Sequence, residues 1–162
     1  MYESMLPVIN ARMMINNRLS IDLPAAYYET LVTEKLKYFG GVLDSLGILP
    51  TPFPLTDLLG QENINHLYRL FKVKGLSYGN LSARENIPEI GTNTFWMTAR
   101  GVDKEHLKVP GEDILLVKGY DSDTGEITVS VPPEHNPRMR VSVDAIEHTL
   151  IRRSMAVRNK GS

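Results

Sequence analysis

Asp113-Ile114-Leu115-Leu116-Val117-Lys118, then Asp121-Ser122-Asp123-Thr124-Gly125, then Glu126-Ile127-Thr128-Val129-Ser130-Val131 decide the fold between them. The first is an apolar run of strand length. The last alternates Ile127, Val129 and Val131 with Thr128 and Ser130, the pattern of a strand with one buried face. The acidic, glycine-ended piece between them is turn chemistry, so the three together predict a β-hairpin. Asp121 and Asp123 have the spacing of a calcium loop. Gly125 stands where such a loop needs an oxygen ligand, which favours the turn.

Working outward, strands are expected over Leu81–Arg84 and Thr94–Thr98 as well. Upstream of Gly75 the period is helical. Tyr28, Leu31, Val32, Leu36 and Phe39 mark a helix read as capped by Asp22, and Gly40-Gly41 weakens its far end. Pro50, Pro52 and Pro54 force an extended connector. Ile64, Leu67, Tyr68 and Phe71 mark a second helix with Gly75 as its stop. Residues 1–22 settle into neither period and read as a short strand or an ordered arm. Ser142 reads as the cap of a final helix with Val143, Ile146 and Leu150 inward. Helices, a meander of strands and a closing helix predict an α+β domain over residues 23–154, with a basic flexible tail at 155–162.

Composition narrows the class. A 162-residue chain with 42% apolar and 23% charged residues is expected to fold as one ordinary globular domain. Its net charge of −1 supplies no global field for nucleic acid or an anionic membrane, so neither is expected as a partner. The absence of cysteine excludes disulfides, thiolate metal sites and a cysteine nucleophile. No signal peptide or membrane-length apolar run is read, and a cytoplasmic location is expected.

Three windows carry polar chemistry. Gly79-Asn80 follows Tyr78 as a tight turn, and Asn80, Ser82 and Arg84 alternate onto one strand face as an amide, a hydroxyl and a guanidinium. Thr98 ends an apolar strand, Arg100-Gly101 makes a turn, and Asp103 caps the short turn Lys104-Glu105-His106-Leu107. Backbone amides at such turns favour an oxyanion, to which Arg100 adds a charge-assisted donor. Ser142-Val143-Asp144 opens a helix, with Asp144 and His148 at i and i+4 on one face. Each window alone has a plainer reading: a turn with a polar strand face, a solvated arginine, a capped helix with a surface Asp–His pair.

Taken together, the windows resemble a class II aldolase/adducin-type domain. Gly79-Asn80-Leu81-Ser82-Ala83-Arg84 is similar to that family's G-N-[IVL]-S-x-R. Met97-Thr98-Ala99-Arg100-Gly101-Val102 resembles its I-T-P-[ST]-G-[VIM], and Ser142-Val143-Asp144 with His148 resembles its S-S-E-x-x-x-H. The resemblance spans about residues 62–151. It implies an α/β/α layered fold on a mostly antiparallel sheet, and homo-oligomers with the active site between subunits. The activity it implies is a metal-dependent lyase, epimerase or dehydratase reaction on a sugar phosphate or related hydroxy-carbonyl compound. By that resemblance Gly79, Asn80, Ser82, Arg100, Gly101, Ser142 and Val143 hold the substrate phosphate or carboxylate, and Asp144 is the catalytic acid/base. A non-catalytic adducin-like binding or assembly module is the alternative, and the enzyme question stays open at this point.

The departures are specific. Arg100 replaces a small hydroxyl, Val143 removes a donor, and Asp144 is one methylene shorter than the family's Glu. The resemblance implies a zinc-like divalent metal held by an H-x-H strand after the last helix. Here that place reads Arg152-Arg153-Ser154-Met155-Ala156-Val157-Arg158-Asn159-Lys160-Gly161-Ser162. His66, His106, His135 and His148 do not have the spacing, so no metal residue is assigned and the fold is expected to be C-terminally incomplete. Open sheet edges, and with them oligomerisation, are the expected consequence.

Overall fold

Asp121 Oδ1 accepts from the amides of Asp123 (2.8 Å) and Thr124 (3.3 Å), so its carboxylate is spent on organising its own turn. The turn joins β4 (Ile114–Asp121) to β5 (Glu126–Val131) as the expected antiparallel hairpin. This computed structural model describes residues 16–49, 60–63, 65, 79–142 and 144–159, without the side chains of 156–159. The expected proline connector, the helix over Ile64–Phe71 with its Gly75 stop, and Val143 lie outside the described residues.

Register slips between Val117 and Gly119, leaving Lys118 as the extra residue of a bulge. Its Nζ donates to both carboxylate oxygens of Asp22, at 3.0 and 3.1 Å. That pair pins the end of β1 (Asn16–Ile21), which runs parallel to β5 with Asn16 opposite Glu126 and Ile21 opposite Val131. On the other side of β4 lie β3 (Phe95–Thr98) and then β2 (Ser82–Arg84), both antiparallel. The order is β1-β5-β4-β3-β2, an α+β arrangement on a mostly antiparallel five-stranded sheet.

β3 and the first half of β4 (Ile114–Val117) are buried and almost wholly apolar because both faces of the sheet are covered there. Phe95, Met97, Leu115, Val117, Ile127, Val129 and Val131 form one core with Ala145 and Ile146 of α2 (Ala145–Asn159). Trp96, Ile114 and Leu116 form the other, with Tyr28 and with Leu36 of α1 (Leu31–Ser45). Burying each such side chain contributes roughly 1.5–3 kcal/mol. Ser130, expected on an open face, is fully buried; its hydroxyl lies 2.7 Å from that of Tyr28, so neither is orphaned.

The first helix starts later than expected. Tyr28 ends a 3₁₀ turn (Ala25–Tyr28), and Thr30 rather than Asp22 caps α1. Thr30 Oγ1 accepts from the amide of Thr33 (3.2 Å), and Thr33 Oγ1 accepts from that of Thr30 (2.9 Å). A reciprocal pair satisfies two otherwise orphaned amides, which Asp22 eight residues upstream cannot do. Gly40-Gly41 sits inside the helix. A Cβ on Gly40 would lie 2.0 Å from the carbonyl oxygen of Lys104, so this glycine lets the 102–107 loop press on the helix backbone.

The last helix is rotated from the expected face and is longer. Leu150 is half exposed, while Ala145 and Thr149 are buried and His148 and Arg152 half-buried. The inward positions are therefore 145, 146, 148, 149 and 152: Ile146 packs on the core as expected and Leu150 does not. Helical backbone continues to Asn159, past the start of the expected flexible tail. Among the described residues, no helix is long and apolar enough to cross a membrane.

Candidate functional site

Along β2 and the residue pair before it, every second side chain faces α2 and the residue that leads into it, which present Asp144, His148 and Arg152 every fourth residue. Two strand residues advance roughly 6.6 Å and four helical residues roughly 6 Å, so the rows stay in step. Asn80 Nδ2 donates to Asp144 Oδ2 at 2.6 Å. Ser82 Oγ lies 2.8 Å from His148 Nδ1, and Arg152 Nη2 donates to Ser82 Oγ at 2.7 Å. Arg84 Nη2 donates to the Arg152 carbonyl at 3.1 Å.

Proton bookkeeping follows from these contacts. The Ser82 oxygen accepts from Arg152 and is paired with His148 Nδ1; with two lone pairs it either donates to that nitrogen or accepts from its N–H, according to the imidazole tautomer. Burial and the charge of Arg152 hold the imidazole below its ordinary value, against the opposing carboxylates of Asp144 and Glu147. Burial, and the neighbouring Arg84, likewise lower Arg152 from the usual guanidinium range. The Arg152 guanidinium carbon stands 4.9 Å from the centre of the Phe95 ring, a cation–π contact. Its Nε is buried without an acceptor.

The three windows also meet through the backbone. Leu81 N donates to Thr98 Oγ1 (3.1 Å), and Thr98 N donates to the Leu81 carbonyl (3.0 Å). Ala99 bridges Val141, and Arg100 N donates to the Arg140 carbonyl at 2.8 Å. That bond consumes the Arg100 amide, leaving the exposed side chain as its anion donor. Gly79 and Gly101 both adopt positive φ (74° and 73°) on exposed turns, where a side chain would be strained. Ser142 and Asp144 are half-buried, Ser142 Oγ donating to Asp144 Oδ2 and accepting from its amide, each at 3.4 Å. Ser142 thus precedes the helix and braces Asp144, whose own carbonyl accepts from His148 N (3.1 Å).

Asn80, Ser142 and Asp144 therefore converge on one carboxylate, and Gly79, Arg100 and Gly101 line the adjoining turns. Ser82 belongs to the His148–Arg152 rungs of the same seam. Arg152 and Thr98 were not assigned a role from the sequence. The signal for Arg152 was present as one more four-residue step beyond Asp144 and His148.

The implied metal was tested against the donors present. Asp103, Glu105 and His106 form the one group among the described residues whose donor atoms are close enough to share an ion. All three are exposed, and His106 Nδ1 lies 2.9 Å from Asp103 Oδ2. That hydrogen bond raises the imidazole and lowers the Asp103 carboxyl. The other described imidazoles are engaged separately, His135 with the Pro132 carbonyl (2.8 Å) and His148 with Ser82. One imidazole beside two carboxylates in a surface turn is not the three-imidazole set of the implied lyase. No family model, no curated protein and no solved structure matches the chain.

Proposed function

We propose that this chain is the ligand-binding lobe of a class II aldolase/adducin-type protein, recognising the phosphate or carboxylate of a hydroxy-carbonyl compound. One observation carries the reading: the Gly79-Asn80, Arg100-Gly101 and Ser142–Asp144 segments, far apart in sequence, meet through the Leu81–Thr98, Ala99–Val141 and Asn80–Asp144 contacts. Such convergence of glycine turns, an amide, a hydroxyl and a guanidinium suits a ligand oxyanion. In the catalytic form of this reading, Asp144 Oδ1 takes the proton next to the substrate carbonyl while Oδ2 is held by Asn80. No step is assigned to a metal, because the described residues do not supply the implied ligand set.

The same mismatch favours a second reading, a non-catalytic binding or assembly module in which Asp144 anchors α2 to the sheet. Calorimetric titration with dihydroxyacetone phosphate tests both. Binding by the wild-type chain, weakened about tenfold or more in both Asn80→Ala and Arg100→Gln, is expected from loss of a charge-assisted or polar contact. No binding by the wild-type chain contradicts the proposal. Turnover that disappears in Asp144→Asn selects the enzyme; binding without turnover selects the module.

A further inference from the structure

We infer that Arg84 and Arg152 form a second anion site, on the α2–β2 seam, that takes a phosphoryl group between the two guanidiniums. It stands apart from the loop reading, whose residues it does not use.

The first argument is charge. Ion pairs among the described residues engage Arg18, Lys37, His106 and Lys118 with carboxylates, and neither Arg84 nor Arg152 is in any of them. Yet the two are neighbours: Arg84 Nη2 holds the Arg152 carbonyl, and the charge of Arg84 acts on the Arg152 guanidinium. Two like charges, Arg152 half-buried and Arg84 exposed beside it, with neither in an ion pair among the described residues, are an unfavourable arrangement that an oxyanion relieves. Asp144, the nearest acidic rung of the seam, is occupied by Asn80.

The second argument is hydrogen bonding. Arg152 has five N–H donors, and its side-chain acceptor here is the single oxygen of Ser82. Its Nε is buried and unpartnered, so the guanidinium has left water without full replacement. Nδ1 of His148 is used by Ser82, so one hydroxyl serves both the imidazole and the guanidinium. Arg84 is exposed, which opens the site to solvent on its side.

The third is fit. A planar guanidinium pairs with two oxygens of one phosphoryl group, and a dianion balances two of them. A ring face already fixes one: Phe95 sits under Arg152, so its guanidinium is oriented before any ligand arrives.

The experiment uses the full chain and inorganic phosphate, at ionic strength matched with chloride. Thermal shift is measured on the wild type, Arg84→Gln, Arg84→Lys and Arg100→Gln. Phosphate should raise the melting temperature of the wild type and Arg100→Gln, and at least part of the rise should persist in Arg84→Lys. In Arg84→Gln the apparent affinity should fall about tenfold or more. Any other pattern overturns the site, including no shift in the wild type or a shift abolished by Arg100→Gln. Should Arg84→Gln fail to fold, side-chain NMR of the unmodified chain decides. Phosphate should move the His148 imidazole and the arginine Nε–H resonances of Arg84 and Arg152. Shifts confined to the amides of Gly79, Asn80, Arg100 and Gly101 overturn the proposal.

Discussion

Ser82 Oγ lies 2.8 Å from His148 Nδ1, and that contact joins the strand to the helix at the middle rung of the α2–β2 seam. Arg152 donates to the same oxygen, so the imidazole and the guanidinium meet on one hydroxyl. Burial, first, and the neighbouring Arg152 cation both disfavour the protonated imidazole.

His148 is expected to titrate below 6.5, the ordinary imidazole value, and His106 above it. The consequences have opposite signs. For His148 the unfolded chain binds the proton more readily, so stability rises with pH. Its contribution is full above about 6.5 and falls on acidification toward its folded value, by at most roughly 1.4 kcal/mol per pH unit. The contribution of His106 is present below 6.5 and is lost as pH rises through its raised value. That group is exposed, so salt weakens its effect. Imidazole NMR titration of the folded chain separates the two; His148 titrating above His106 would contradict the seam.

Ser82→Ala should leave the Arg152 guanidinium without its side-chain acceptor and His148 Nδ1 without its partner. A cost of roughly 1–3 kcal/mol is expected. In a chain of this size that corresponds to a melting temperature lower by roughly 2–4 °C per kcal/mol. The His148 titration should stay below 6.5 in the same variant, because burial and the Arg152 charge hold it there. A rise to 6.5 would mean that the hydroxyl sets the imidazole.

Adjacent glycines should respond in opposite directions. Gly40→Ala places a Cβ at 2.0 Å from a backbone oxygen of the 102–107 loop, and overpacking of this kind costs roughly 1–3 kcal/mol. At Gly41 the corresponding approach is 3.9 Å, which is ordinary contact. There the helix preference of alanine dominates, and Gly41→Ala should stabilise by up to roughly 1 kcal/mol. Chemical denaturation of the two variants compares them directly.

The hairpin was legible because its information is local: a strand run, an acidic turn, an alternating strand. The rows Asn80/Ser82/Arg84 and Asp144/His148 were legible for the same reason, since each follows from one period. That the rows face each other was not, because a strand and a helix about sixty residues apart meet through tertiary packing. Arg152 was read only as the first residue of the basic stretch that stands in place of the metal strand, because a basic run carries no mark of burial. Leu150 misled for the converse reason. An apolar residue at helical spacing reads as inward, whereas this helix turns a mostly polar row to a polar strand and leaves Leu150, Ile151 and Met155 exposed. Thr30 was overlooked as a cap because its partner Thr33 is not the usual acidic or amide residue.

The most direct test of anion recognition by the three converging turns is amide chemical-shift mapping with dihydroxyacetone phosphate, performed on Arg84→Gln so that the seam arginines are not a competing site. The predicted result is saturable shifts concentrated at Gly79, Asn80, Arg100, Gly101 and Ser142. No saturable shifts, or shifts centred elsewhere on the sheet, would contradict it.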